Sequence, residues 1–198
     1  MPEDEKRMGN TVQTVVWEAR QWLGLEHLRL EEHAREMAAY GTVLMVEENQ
    51  PLRMHYVVRC ALDWAVRNVF IRLDGHVGPE VRLAADGAGH WTRTSRPLAK
   101  LDGCIDVDIA ATPFTNTLPI RRLGLKLDES AEIKVAYITI PELLVSAARQ
   151  RYTCLEAQPE GSRYRYESLD SGFTAEITVD ADGLVVDYQN LWQRRWPR

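Results

Sequence analysis

Several features that would mark a dedicated catalyst, a metalloprotein or a secreted scaffold are missing from this 198-residue chain. Its three cysteines, Cys60, Cys104 and Cys154, are widely separated and form no CxxC pair. Neither a zinc knuckle nor a disulfide framework is therefore expected, and the odd number favours reduced thiols in a cytosol. The five histidines show no HxH or HExxH spacing, so no metal site is expected. There is no GxSxG elbow, GxGxxG turn or Walker loop, and the pattern calls for no cofactor. No apolar run approaches the length of a membrane span, and the opening MPEDEKRMGNTVQ lacks the apolar stretch of a secretion signal. The expectation is a cytoplasmic protein without membrane insertion. A net charge of −5 removes the basic face that phosphate backbones require, so nucleic acid is not an expected partner.

What is present is ordinary for a folded domain: 45% hydrophobic and 27% charged residues. Residues 1–10 are expected to form a mobile tail and residues 11–198 a single domain. Alternating patterns rich in β-branched and aromatic residues recur along that domain, among them HLRLEE, LRMHYVVRCAL, RNVFIRL, CIDVDIA, EIKVAYITI and GFTAEITVD. Asp86-Gly87, Asp102-Gly103 and Asp182-Gly183 supply hairpin-type turns. Helix signals are confined to Glu31–Ala39 and Pro141–Arg149. The predicted fold is mainly β, a large curved antiparallel sheet forming a barrel or half-barrel with a few short helices, since so many strands in one domain must curve and dispose of their edges.

The stretch LDGCIDVDIAATPFTNTLPIRRL, residues 101–123, concentrates the chemically useful groups. A strand here places the carboxylates of Asp106 and Asp108 on one face. A loop bracketed by proline follows, carrying Thr112, Phe114, Thr115, Asn116 and Thr117, and it leads into Arg121 and Arg122. Carboxylates so placed can serve acid/base chemistry or pair with an arginine, and the pairing is the simpler reading. In a strand the two arginines point to opposite faces, so only one of them can join an aspartate. The loop's amide and hydroxyl groups could hold a polar head or pin the loop to itself. Cys104, beside acids and apolar residues, has no activated thiolate to offer. Aromatic residues are abundant enough to fill a sheet interior or to line a cavity in it.

The segments DGCIDVDIAATPFTNTLPIRRL, AYITIPELLVSAARQRYTCLE and SGFTAEITVDADGLVVDYQNLWQRR, with the upstream DGAGHW turn, resemble the bacterial putative glycolipid-binding family, from about Trp17 to Arg194. The resemblance implies a β-rich, half-barrel-like fold with an apolar cleft, and it carries no catalytic residues. The expected function is binding of a lipid, glycolipid or other amphiphile, with Asp106, Asp108, Phe114, Thr115, Asn116, Thr117, Arg121 and Arg122 as candidate ligand-binding residues and the loop at the polar mouth. A hydrolase or isomerase using Asp106 or Asp108 as acid/base is the alternative, and a scaffold that pairs through an exposed strand is the third reading.

Overall fold

The computed structural model describes residues 11–47, 49–74 and 80–197. The expected N-terminal tail lies outside the described residues. Fifteen strands form one sheet. The first eight are β1 (Thr11–Ala19), β2 (Gly24–Glu32), β3 (Glu36–Glu47), β4 (Gln50–Ala61), β5 (Val66–Asp74), β6 (Val81–Ala85), β7 (Trp91–Arg93) and β8 (Arg96–Pro97). After a connector come β9 (Asp106–Ile109), the helix α1 (Thr117–Leu123), β10 (Ser130–Ile138), β11 (Val145–Gln158), β12 (Gly161–Ser168), β13 (Thr174–Asp180), β14 (Val185–Tyr188) and β15 (Trp192–Trp196). Their spatial order is β8-β7-β6-β5-β4-β3-β2-β1-β15-β14-β13-β12-β11-β10-β9. Sequential neighbours pair antiparallel, β1 pairs with β15 to join the two halves, and only β9 with β10 runs parallel.

The mainly β expectation therefore holds, but the sheet is not closed into a barrel. Its edge strands β8 and β9 do not pair with each other. The connector between them bridges the gap instead. Gly103 donates its N–H to the Gly89 carbonyl at 2.9 Å, and the Trp91 indole N–H reaches the Cys104 carbonyl at 2.7 Å. From the other side, Lys134 Nζ donates to the Asp102 carbonyl and Lys100 Nζ to the Val145 carbonyl, each at 2.6 Å. A Cβ on Gly89 would stand 2.9 Å from the Gly103 Cα, so glycine is what allows the two turns to meet.

Period-two burial separates the faces. In β2, Glu26, Leu28 and Leu30 point inward while Leu25, His27 and Arg29 face out; in β4, Leu52, Met54, Tyr56, Val58 and Cys60 do the same. The inner faces of both halves join one core with Val107, Ile109, Phe114, Leu118 and Ile120 from the β9–α1 segment. On the outer face the strands carry ion pairs such as Arg53 with Asp74 and Arg151 with Glu132 and Glu167. Such exposed pairs keep the face wetted and contribute little stability each.

The helices differ from expectation. Glu31–Ala39 is the turn and flanks of the β2–β3 hairpin, and Pro141–Arg149 leads into β11. In both, cross-strand pairing on a sheet already under construction outweighs local helix propensity. The α-helix instead occupies Thr117–Leu123, where a loop and strand were expected. Pro119 sits in its first turn, where no backbone donor is needed, Arg121 and Arg122 complement its C-terminal dipole, and Gly124 at φ 55° ends it by donating to the Ile120 carbonyl. Asp182-Gly183 makes the β13–β14 hairpin and Asp86-Gly87 the β6–β7 turn, whereas Asp102-Gly103 belongs to the connector.

Gly41 of β3 faces Tyr56 of β4, and an added Cβ would lie 2.0 Å from the Tyr56 ring. The expected result for Gly41→Ala is a loss of about 1–3 kcal/mol in urea unfolding through overpacking, with Tyr56→Phe in the same background unable to restore it because the clash involves ring carbons.

Candidate functional site

The segment from Ala110 to Leu123 crosses the inner face of the sheet, where Thr112 to Ile120 are buried without exception. Polar contacts hold it at both ends. Near its start, the Thr112 hydroxyl accepts from the Phe114 N–H at 3.0 Å and donates to Glu26 Oε1 at 2.9 Å. The same oxygen accepts from the Tyr56 hydroxyl at 2.5 Å, and the Tyr56 ring stacks on Phe114. At the other end, Arg122 donates to both oxygens of Asp106, from Nε at 3.0 Å and from Nη2 at 2.5 Å. Asp106 is fully buried; burial pushes its carboxyl up and the guanidinium pulls it back down. Arg121 turns away, with Cζ 5.2 Å from the centre of the Trp64 ring and its stem against Gly183.

Asp108, two residues along the same strand, meets no arginine. Its Oδ1 accepts from the Thr115 hydroxyl at 3.2 Å and its Oδ2 from the Gln150 amide at 2.6 Å. Burial raises its pKa, and those two donors oppose the rise only in part. Between this carboxyl and strands β10 to β15 lies a cleft of about 590 Å³. Its lining is rich in aromatic residues: Trp22, Tyr137, Tyr166, Phe173, Tyr188 and Trp192. Tyr166 makes edge contacts with Tyr152 and Tyr188, and the two tryptophans meet at 88°. Burial, and then the charge of Asp108, hold the Tyr137 and Tyr166 phenols in their protonated form. Polar groups facing the cleft are Asp108, Thr112, Asn116, Gln150, Ser146, Ser168, Asp170 and Ser171.

Of the eight residues singled out from sequence, Asp108 and Asn116 line the cleft. Asp106 and Arg122 form the ion pair, Thr115 orients Asp108, Phe114 and Thr117 are packed inside, and Arg121 lies on Trp64. The loop expected at a polar mouth is thus largely interior filling, because its apolar members Phe114, Leu118 and Ile120 are needed in the core. Asn116 is locked as well, accepting from the Tyr152 hydroxyl at 2.8 Å and donating to the Pro113 carbonyl at 3.2 Å. Two polar residues were passed over, Gln150 and Glu26. Each had a legible signal, since each shares the inward phase of its strand with apolar neighbours: Gln150 with Tyr152 and Cys154, Glu26 with Leu28 and Leu30.

With this geometry in place the comparisons decide the lineage. The family described as "Putative glycolipid-binding" matches residues 14–194. The chain belongs to that family. A crystal structure of a DUF1089 family protein from Pseudomonas aeruginosa is 38% identical, with a TM-score of 0.77, covering 86% of this chain and 91% of that one. No curated protein matches. In this family member, no helix among the described residues is long and apolar enough to cross a membrane.

Glu26 sets a pH response. It is fully buried, and burial pushes its carboxyl up to about 8, against the hydrogen bonds from Tyr56 and Thr112. Both donors go to Oε1, while Oε2 has no partner. The folded protein therefore binds a proton that the unfolded chain releases near 4.5. Its stabilising contribution is complete below that pH and falls by about 1.4 kcal/mol per unit as pH rises toward 8. Glu26→Gln is expected to flatten this slope in urea titrations run across that window.

Arg122→Ala leaves Asp106 buried without its partner and should cost about 3–5 kcal/mol near neutral pH. The deficit should shrink as the medium is acidified, because the carboxyl can then be buried protonated. Equilibrium unfolding at acid and neutral pH checks both statements.

Proposed function

We propose that this protein binds an amphiphile, a lipid or glycolipid, in the cleft between β9 and β10–β15 and does not turn it over. The carrying observation is the cleft itself. Its volume of about 590 Å³ falls in the range of roughly 300–1,000 Å³ common for small-molecule sites, and it joins aromatic walls to one buried polar end. Trp22, Trp192, Tyr166, Tyr188 and Phe173 offer flat surfaces on which an alkyl chain or the apolar face of a sugar can lie. Asp108, Gln150 and Asn116 offer fixed hydrogen-bonding groups at the other end. In this reading Asp108, Thr112 and Asn116 touch the ligand, while Asp106, Phe114, Thr115, Thr117, Arg121 and Arg122 hold that surface from behind. The family's name points the same way.

Acid/base catalysis by an Asp106/Asp108 pair has less support. Both oxygens of Asp106 are taken by Arg122, so the pair lacks a second free carboxyl.

Protein purified gently should show extra mass in native mass spectrometry, and organic extraction should release that mass as an amphiphile. Ala148, on the cleft wall, offers a blocking position. Ala148→Trp is expected to lose the bound mass while keeping the wild-type circular dichroism spectrum. Wild-type protein that is always recovered empty and ignores added fluorescent fatty acids and glycolipids would remove this reading.

A further inference from the structure

The charge of the cleft is one-sided. Among the described residues that line it there is no Lys, Arg or His, and its only ionisable acids are Asp108 and Asp170. Three arginines close to these residues are already engaged: Arg122 with Asp106, Arg121 over Trp64, and, at the rim of the cleft, Arg149 with Asp170, Nε to Oδ1 at 3.0 Å. Asp170 is thereby compensated at the exposed rim. Asp108 is not, because its partners Thr115 and Gln150 orient the carboxyl without neutralising it.

We infer that the cleft selects an uncharged, hydroxyl-bearing head group and that Asp108 is the residue that turns phosphate and carboxylate heads away, an inference that rests on the amphiphile-binding reading above. An anionic head entering here sheds water and meets no cation in return. If Asp108 is ionised, the head also meets a like charge at short range. If it is protonated, the head still finds no counter-charge. A sugar or polyol hydroxyl escapes both costs. It can donate to Asp108, accept from the Asn116 amide or exchange hydrogen bonds with Ser146, while its C–H face packs on Tyr166 or Trp192. A cationic amine would also suit a lone carboxylate, but Asp108 is half-buried in an aromatic cleft, where an ammonium must give up much of its hydration for a single carboxylate.

Chain-matched probes below their micelle concentrations test this: n-octyl glucoside, n-octyl phosphate, n-nonanoate and n-octylammonium, titrated calorimetrically and by the fluorescence of the tryptophans. The glucoside should bind at least tenfold more tightly than each charged probe. Asp108→Asn removes the like charge without adding a cation, so it should narrow the gap between glucoside and phosphate at least threefold while the glucoside still binds more tightly. Because a change at a carboxyl held by two internal hydrogen bonds can impair folding, Ser146→Lys serves as the second variant; Ser146 is exposed on the cleft wall, and adding the missing cation there should raise phosphate affinity at least tenfold relative to glucoside. Phosphate, carboxylate or amine binding as tightly as glucoside to the wild type would overturn the inference and leave amphiphile binding standing. A gap between glucoside and phosphate that Asp108→Asn leaves at its wild-type width would remove Asp108 from its role. If no probe binds, the underlying reading fails, and the inference with it.

Discussion

The ion pair of Asp106 and Arg122 is the fixed point on which the interior of this protein is arranged. A single fifteen-stranded sheet with one apolar face must bury that face, and protein interiors tolerate little empty space. Here the chain supplies its own filling, a segment that leaves β9, turns through Phe114–Asn116 and ends as α1. The two-pronged contact with Arg122 ties the far end of that filling back to the strand it left. Glu26 and Tyr56 tie its near end to β2 and β4. The space that the filling does not occupy is the cleft.

Two carboxylates two residues apart thus take different parts. Both lie in β9, Asp106 buried and Asp108 half-buried, but only Asp106 is within reach of the last turn of α1. Asp106 becomes a structural anchor. Asp108 is held by the neutral donors of Thr115 and Gln150 and lines an aromatic cleft. A third carboxyl, Glu26, needs no cation because it remains protonated at neutral pH, and it helps to fasten the wall that bears Thr112.

Much of the strand content was legible because a half-buried antiparallel strand writes its alternation directly into the chain, as Leu28-Arg29-Leu30 and Ala175–Val179 do. The helix was misplaced for a related reason. EEHAREMAA has good helix formers, yet its residues complete a hairpin whose register pairs Glu32 with Met37, while TLPIRRL reads as a loop until its Pro119 and Gly124 are taken together as a start and a stop. The candidate site was legible in part. Asp108 and Asn116 were identified, but Gln150 comes from a strand well removed in sequence, and nothing local announces that the two would meet.

Residue order by itself determined the β class, the inward and outward faces of most strands, the turns at Asp86-Gly87 and Asp182-Gly183, and the family signature from Asp106 to Arg122. These depend on short-range sterics and a period of two, which neighbouring residues can specify. Tertiary structure alone decided that the sheet stays open and is bridged by Gly89 and Gly103, that Arg122 rather than Arg121 finds Asp106, and that Asp108 is left to a cleft without cations. Those outcomes depend on which distant groups compete for the same small volume, and that competition exists only once strands far apart in sequence have been brought together.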